Sequence, residues 1–215
     1  MEETQQLYPK MFTWLFIGLL ITFVSGYALY LNEELMVNLL SIGFLPIAII
    51  ELVIAFVMGI RIQKMNPMTT KILYIIYSVI TGITFSTIFV AFKVSSIISI
   101  FLITAIIFGA LAFYGYITKK DLTKLGTILF ISIICLLIAM ILNVLIFKNS
   151  SFDLTLTIFG VLIFVGYIAY DVNKVKYLVA SVGEEKAAVY GAFQLYLDFI
   201  NLFIRLLELF GKRND

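Results

Sequence analysis

Near the end of the chain five polar side chains recur along an apolar stretch: Gln194, Asp198, Asn201, Arg205 and Glu208, at steps of 4, 3, 4 and 3 residues. On a helix, at roughly 100° per residue, they share an arc of about 80°. Leu, Ile, Phe and Tyr fill the other faces. A further carboxylate, Asp171, closes the preceding apolar stretch in the segment GYIAYDVNKVKYL. Two carboxylates about 3 Å apart in a dry site cannot both ionise cheaply, so they share one proton. Protonated, such a pair joins two helices through an O–H···O⁻ bond. Deprotonated, it repels or attracts a divalent cation, and oxygen-only ligands suit Ca²⁺ better than a softer metal. Asp171 and Asp198 are therefore the candidate pH sensor and gate, and the candidate Ca²⁺ contacts.

Plainer readings stand beside this one. Arg205 and Glu208 are at i, i+3 and can pair directly as internal glue. Arg205 lies about 10 Å along the axis from Asp198, which leaves that aspartate without an obvious cation. Asp171 has Lys174 at i+3, so a surface salt bridge is an alternative to facing Asp198. The two depths also differ, by about 10 Å if both helices start level. Contact between the aspartates requires the Asp171 helix to run on through Lys174 and Tyr177. Glu51, one turn beyond Pro46, is a second acid at apolar depth and a candidate cavity residue.

These side chains need membrane helices to position them. Hydrophobic residues make up 62% of the 215 residues and charged residues 13%. A soluble domain has roughly 45–50% and 25%. Seven apolar runs are readable, at approximately Phe12–Leu31, Gly43–Ile60, Ile72–Phe92, Ile97–Ile117, Leu125–Phe147, Leu154–Val172 and Ala187–Phe210. None alternates as a barrel strand would. The first has span length and lacks an A-x-A-like exit, unlike a cleavable signal peptide. The expectation is an all-α integral membrane protein: tails at 1–11 and 211–215, and one domain of seven helices over 12–210. The polar-striped last helix would be enclosed by the other six, because its stripe cannot face lipid. Basic residues cluster in alternate loops (Arg61, Lys64 and Lys71; Lys119, Lys120 and Lys124; Lys174, Lys176 and Lys186). The positive-inside rule then places the N-terminus in the cytosol. Lys212 and Arg213 argue mildly for a cytosolic tail, so six spans with a re-entrant last helix is an alternative.

Other chemistry recedes. With no histidine, most catalytic metal sets lose their commonest ligand and no HExxH exists. A Gly-x-Gly-Asp protease block is also absent, so no enzyme is expected. The formal charge of +2 does not suggest nucleic-acid binding. Cys135 is alone, so no internal disulfide forms. Ser78, Gly82 and Ser86 repeat at i, i+4, i+8, and Gly109, Ala110, Ala112 and Gly115 dot the fourth run; both patterns read as close helix packing. Thr81, Thr84 and Thr87 could alternatively line a pore. Glu184 and Glu185, in the last loop, read as solvated.

Three blocks, FGALAFYGYITKKDLTKLG (108–126), GYIAYDVNKV (166–175) and GAFQLYLDFINLFIRLLELFG (191–211), together with TGITFS (81–86), resemble the transmembrane Bax inhibitor motif family, in the layout of its small bacterial, YetJ-like members. The resemblance covers essentially the whole chain. It implies a seven-helix fold around the C-terminal helix and a pH-sensitive Ca²⁺ leak. It also implies that Asp171 and Asp198 form the sensing pair. Arg61 matches a basic residue that interacts with the sensor region, and Glu51 a glutamate of the second helix. Where relatives often read LLR this chain reads LLE, with Arg205 three residues earlier, which moves or inverts a charge contact.

The leading expectation is thus a passive Ca²⁺ leak gated by protons, with Arg61, Glu51, Asn201, Arg205 and Glu208 as sensor-coupled or pore residues. The alternatives are a cation/proton antiporter, disfavoured by the lack of an inverted repeat, and a non-transporting stress-regulatory scaffold. Calcium ion, protons and the lipid bilayer are the expected partners. Calcium is cargo, with no resident cofactor, and the sequence names no protein partner. The short bacterial layout points to the plasma membrane.

Overall fold

In a computed structural model, residues 6–43 and 45–214 are described, and they are almost entirely helical. The helices are α1 (Leu7–Tyr30), α2 (Glu33–Ile42), α3 (Leu45–Arg61), α4 (Pro67–Ala91), α5 (Val94–Ile117), α6 (Thr123–Leu142), α7 (Ser150–Val182) and α8 (Glu184–Phe210). A π-helical turn, Asn143–Phe147, extends α6.

Seven runs become eight helices because the first loop is itself helical. Asn32 supplies the N-cap of α2, accepting a hydrogen bond from the Leu35 amide at 3.1 Å. The second run becomes α3, 17 residues and about 26 Å long. Among the described residues six helices are long and apolar enough to cross a bilayer: α1, α4, α5, α6 with its π turn, α7 and α8. Many of their large apolar side chains point outward, among them Phe16, Ile106, Phe130 and Leu162. Water would not tolerate that surface and lipid does. The protein is a multi-pass membrane protein.

Two compact units divide the chain. The first takes Met1–Val94, Val175–Tyr196 and Arg213–Asp215. In it Trp14 meets Tyr74, Thr22 meets Ser78 and Tyr30 meets Phe89, so α1 and α4 run parallel. Parallel neighbours oblige the chain to return between them, and α2 and α3 make that return. Ser78 and Gly82 lie against α1, the close packing their spacing predicts.

The start of α8 is fastened to this unit. Glu184 pairs with Lys10 of α1 and Glu185 with Lys71 of α4. Lys186 Nζ donates to the carbonyls of Ile62, Gln63 and Met65 at 3.2, 3.2 and 2.8 Å. A cation over carbonyls just past the end of α3 complements the negative end of that helix. Glu184 and Glu185 are therefore not simply solvated loop acids: they open α8 and are paired. Gly183, at φ +79°, makes the left-handed turn from α7 into α8. At the other end Asn214 donates its amide N–H to Ala91 O and its side-chain N–H to Val90 O, at 3.0 and 2.8 Å. The tail thus lies at the end of α4, whereas α8 begins at the start of α4. One continuous helix connects these ends, so α8 does not dip and return.

The second unit takes Ser95–Lys174 and Leu197–Lys212. Leu129 and Leu136 of α6 pack with Leu156 and Ile163 of α7. Phe199 of α8 packs between Phe101 and Phe108 of α5, with ring centroids 5.2 and 5.5 Å away.

Candidate functional site

Asp171 and Asp198 both belong to the second unit. Their positions follow from three local features. First, α7 runs on for eleven residues beyond Asp171, to Val182, which is the extension that contact requires. Second, Gly115 of α5 abuts the Ala169 backbone, where a Cβ would collide with the carbonyl oxygen; only glycine lets α5 and α7 come so close. Third, the Asn173 side-chain amide donates to the Gly115 and Thr118 carbonyls at 3.3 and 3.2 Å. This fixes the rotation of α7 and satisfies carbonyls that the end of α5 leaves unpaired.

The two carboxyl groups are close neighbours, each acting electrostatically on the other. They are 6% and 4% exposed, so their shell is protein. Asp171 Oδ1 and Asp198 Oδ2 are buried without any hydrogen-bond partner. Among the described residues no lysine or arginine forms an ion pair with either. Lys174 makes no contact ion pair with Asp171; it sits over the ring of Tyr170, 5.2 Å from its centroid, and stays within electrostatic reach of the Asp171 carboxylate. Tyr167, one turn before Asp171, lies within electrostatic reach of both acids. A doubly ionised pair in this setting would set two like charges together with only the through-space pull of Lys174 on Asp171 to offset them, at a cost of several kcal/mol. One shared proton removes a charge and supplies the missing donor.

The remaining polar residues separate into independent sets. Arg205 Nη1 donates to Glu208 Oε2 at 3.2 Å, the i, i+3 pair anticipated. Arg205 Nη2 also meets Met140 Sδ at 3.2 Å, and Glu208 Oε2 accepts from Thr157 at 3.4 Å. The LLE departure is therefore compensated locally by Arg205. Asn201 donates to the Leu197 carbonyl of its own helix at 2.7 Å and does not extend the aspartate site. Glu51 and Arg61 lie in the first unit. Glu51 is half-buried and accepts from Thr84 at 3.5 Å. Arg61 is exposed at the end of α3, and no ion pair holds it among the described residues. Asn173 and Tyr167 had no place in the sequence reading. Their signal was present, since both fall within GYIAYDVN beside Asp171, but amide and phenol carry no charge to mark them at apolar depth.

A family model described as "Inhibitor of apoptosis-promoting Bax1" matches residues 4–215. The chain belongs to this Bax inhibitor family. "Inner membrane protein YbhL" of Escherichia coli K12 is 37% identical over 218 residues, spanning 95% of this chain and 90% of that protein. An "Uncharacterized protein" of Borreliella burgdorferi is 34% identical, over 96% of this chain and 91% of its own length. An "Uncharacterized membrane protein" of Streptococcus pyogenes serotype M1 is also 34% identical, with 98% and 93% covered. Family membership thus extends from the first helix to the tail of the Bax inhibitor chain, and includes both aspartates.

Proposed function

We propose that this Bax inhibitor family member is a passive Ca²⁺ leak gated by one proton shared between Asp171 and Asp198. The observation that carries the reading is the pair of buried oxygens, Asp171 Oδ1 and Asp198 Oδ2, that lack any donor. With the proton, α7 and α8 are joined and the path is shut. Without it, two like charges repel at close range in a poorly screened site. A passing Ca²⁺ relieves that repulsion through carboxylate oxygens. Among the described residues no group of three or more acidic, histidine or cysteine side chains could hold a metal. Two carboxylates alone give a weak site, which suits passage rather than storage.

The architecture we propose is seven crossings, with α3 as the short one, around an enclosed α8. In the most apolar window of α8 72% of residues are buried, against at most 44% in any other candidate span. The parallel pair α1 and α4 supports counting α3 as a crossing. The basic loops support a cytosolic N-terminus, and the small bacterial layout suits a plasma membrane.

The sign of the pH dependence follows directly. Acid keeps the pair protonated and the leak small; alkali removes the proton and opens it. Ca²⁺ flux into proteoliposomes should rise with pH in the wild type. Asp171→Asn and Asp198→Asn keep the shape but cannot change charge, so each should flatten the rise. One titrating group contributes at most about a tenfold change per pH unit. An unchanged pH profile in both variants would defeat the proposal. Uphill Ca²⁺ movement driven by a proton gradient would point to exchange instead.

A further inference from the structure

The first unit holds a separate polar cluster at apolar depth. Its centre is Glu51 of α3, flanked by the outward-facing Leu52 and Val53. The carboxylate has one hydrogen bond among the described residues, from Thr84 Oγ1 at the long distance of 3.5 Å. Thr81 Oγ1 lies near it, in a side chain 95% withdrawn from solvent, and approaches Glu51, Tyr77 and Tyr196 without reaching any partner at hydrogen-bond distance among the described residues. Tyr77 of α4 and Tyr196 of α8 are the titratable groups that face the acid.

Donor accounting shows that the cluster is incomplete. Thr22 spends its only hydroxyl hydrogen on the Ser78 carbonyl, at 2.9 Å. Tyr196 must then be the donor in its bond to Thr22. The lone pairs of Tyr196 Oη are left for something else. The site therefore has one carboxylate, underused hydroxyl oxygens at Thr81 and Tyr196, and, among the described residues, no lysine or arginine paired with the acid. A half-buried acid at apolar depth with unfilled acceptors around it lacks a positive charge.

We propose that Glu51, Thr81 and Thr84 form a binding site for one monovalent cation, Na⁺ in exchange with a proton, apart from the aspartate pair. The charge selects the valence. A single carboxylate neutralises a single positive charge, whereas Ca²⁺ would remain half-compensated among neutral oxygens. The hydroxyls replace the water that a small hard cation sheds on leaving solvent. With the site protonated, the Glu51 O–H donates to Thr81 and satisfies the orphaned oxygen.

Dicyclohexylcarbodiimide, which modifies protonated carboxyl groups in apolar surroundings, tests this. Purified protein in micelles is treated with the reagent, and the peptide containing Glu51 is quantified by mass spectrometry. Labelling should occur in choline chloride and fall about tenfold as NaCl replaces it, with protection weakening about tenfold for each unit of acidification. Thr81→Val should be labelled normally but lose the Na⁺ protection. Asp171→Asn should retain it, which separates this site from the proposed gate. No labelling of Glu51 at any pH, labelling indifferent to Na⁺, protection by Ca²⁺ but not Na⁺, or full protection surviving in Thr81→Val would each overturn the assignment.

Discussion

At the scale of single residues, the decisive property is which polar atoms find partners. Asn173 finds two, and they are carbonyls of another helix. Asn173→Leu should therefore lower stability by about 1–3 kcal/mol, the cost of leaving buried acceptors unmade. Thermal unfolding in detergent measures that cost. The same variant should blunt the pH response of Ca²⁺ flux, because α7 would no longer hold Asp171 toward Asp198. Arg205 and Glu208 provide the contrast. Glu208 is largely exposed, and its ion pair is a local staple. Glu208→Gln should cost less than about 1 kcal/mol and leave the pH profile of the flux where it was.

Elements act through how closely they approach and what fastens their ends. The contact of Gly115 with Ala169 sets the α5–α7 separation. Gly115→Val forces the helices apart, with an expected loss of about 1–3 kcal/mol from overpacking. It should also perturb Asp171, which lies half a turn from Ala169, so unfolding and the pH response of flux should change together. The start of α8 depends on different physics. The Lys10–Glu184 and Lys71–Glu185 pairs are partly exposed, so salt should screen them. Lys186 reaches three carbonyls and resists screening better. Lys186→Met should destabilise more than Glu184→Gln, a ranking that denaturation at low and high ionic strength can check. Much of this was legible beforehand: the 4, 3, 4, 3 spacing foretold the striped face of α8 and its Arg205–Glu208 pair. The fastening of its first turn was not legible, because Glu184 and Glu185 look like ordinary loop acids until Lys10 and Lys71, far away in sequence, are brought beside them.

At the scale of the whole molecule, the proposed seven crossings put the two ends of α8 on opposite sides of the bilayer. Glu185, next to Glu184, pairs with Lys71 at the start of α4, and Asn214 lies near the end of that helix. Single cysteines introduced into a Cys135→Ala background at Glu184 and at Lys212 should react with an impermeant thiol reagent from opposite sides, Glu184→Cys from the cytosolic side. Labelling of both from one side would contradict the proposed seven crossings. Apolar length alone separates six helices from the shorter α3. The parallel run of α1 beside α4 is the observation on which the proposed crossing by α3 rests.

The membrane class, the alternation of basic loops, the Bax inhibitor resemblance and the two aspartates were all present in the order of residues, because hydropathy, charge and helical periodicity are properties of neighbours along the chain. Three things were decided only when the chain closed on itself. Asp171 came to face an acid on another helix without a contact ion pair to Lys174. Two oxygens of that pair were left without donors. Glu51 came to rest among hydroxyls of α4. Each depends on which atoms of distant segments finally touch, and burial converts those contacts from optional to obligatory by removing the water that would otherwise have satisfied them.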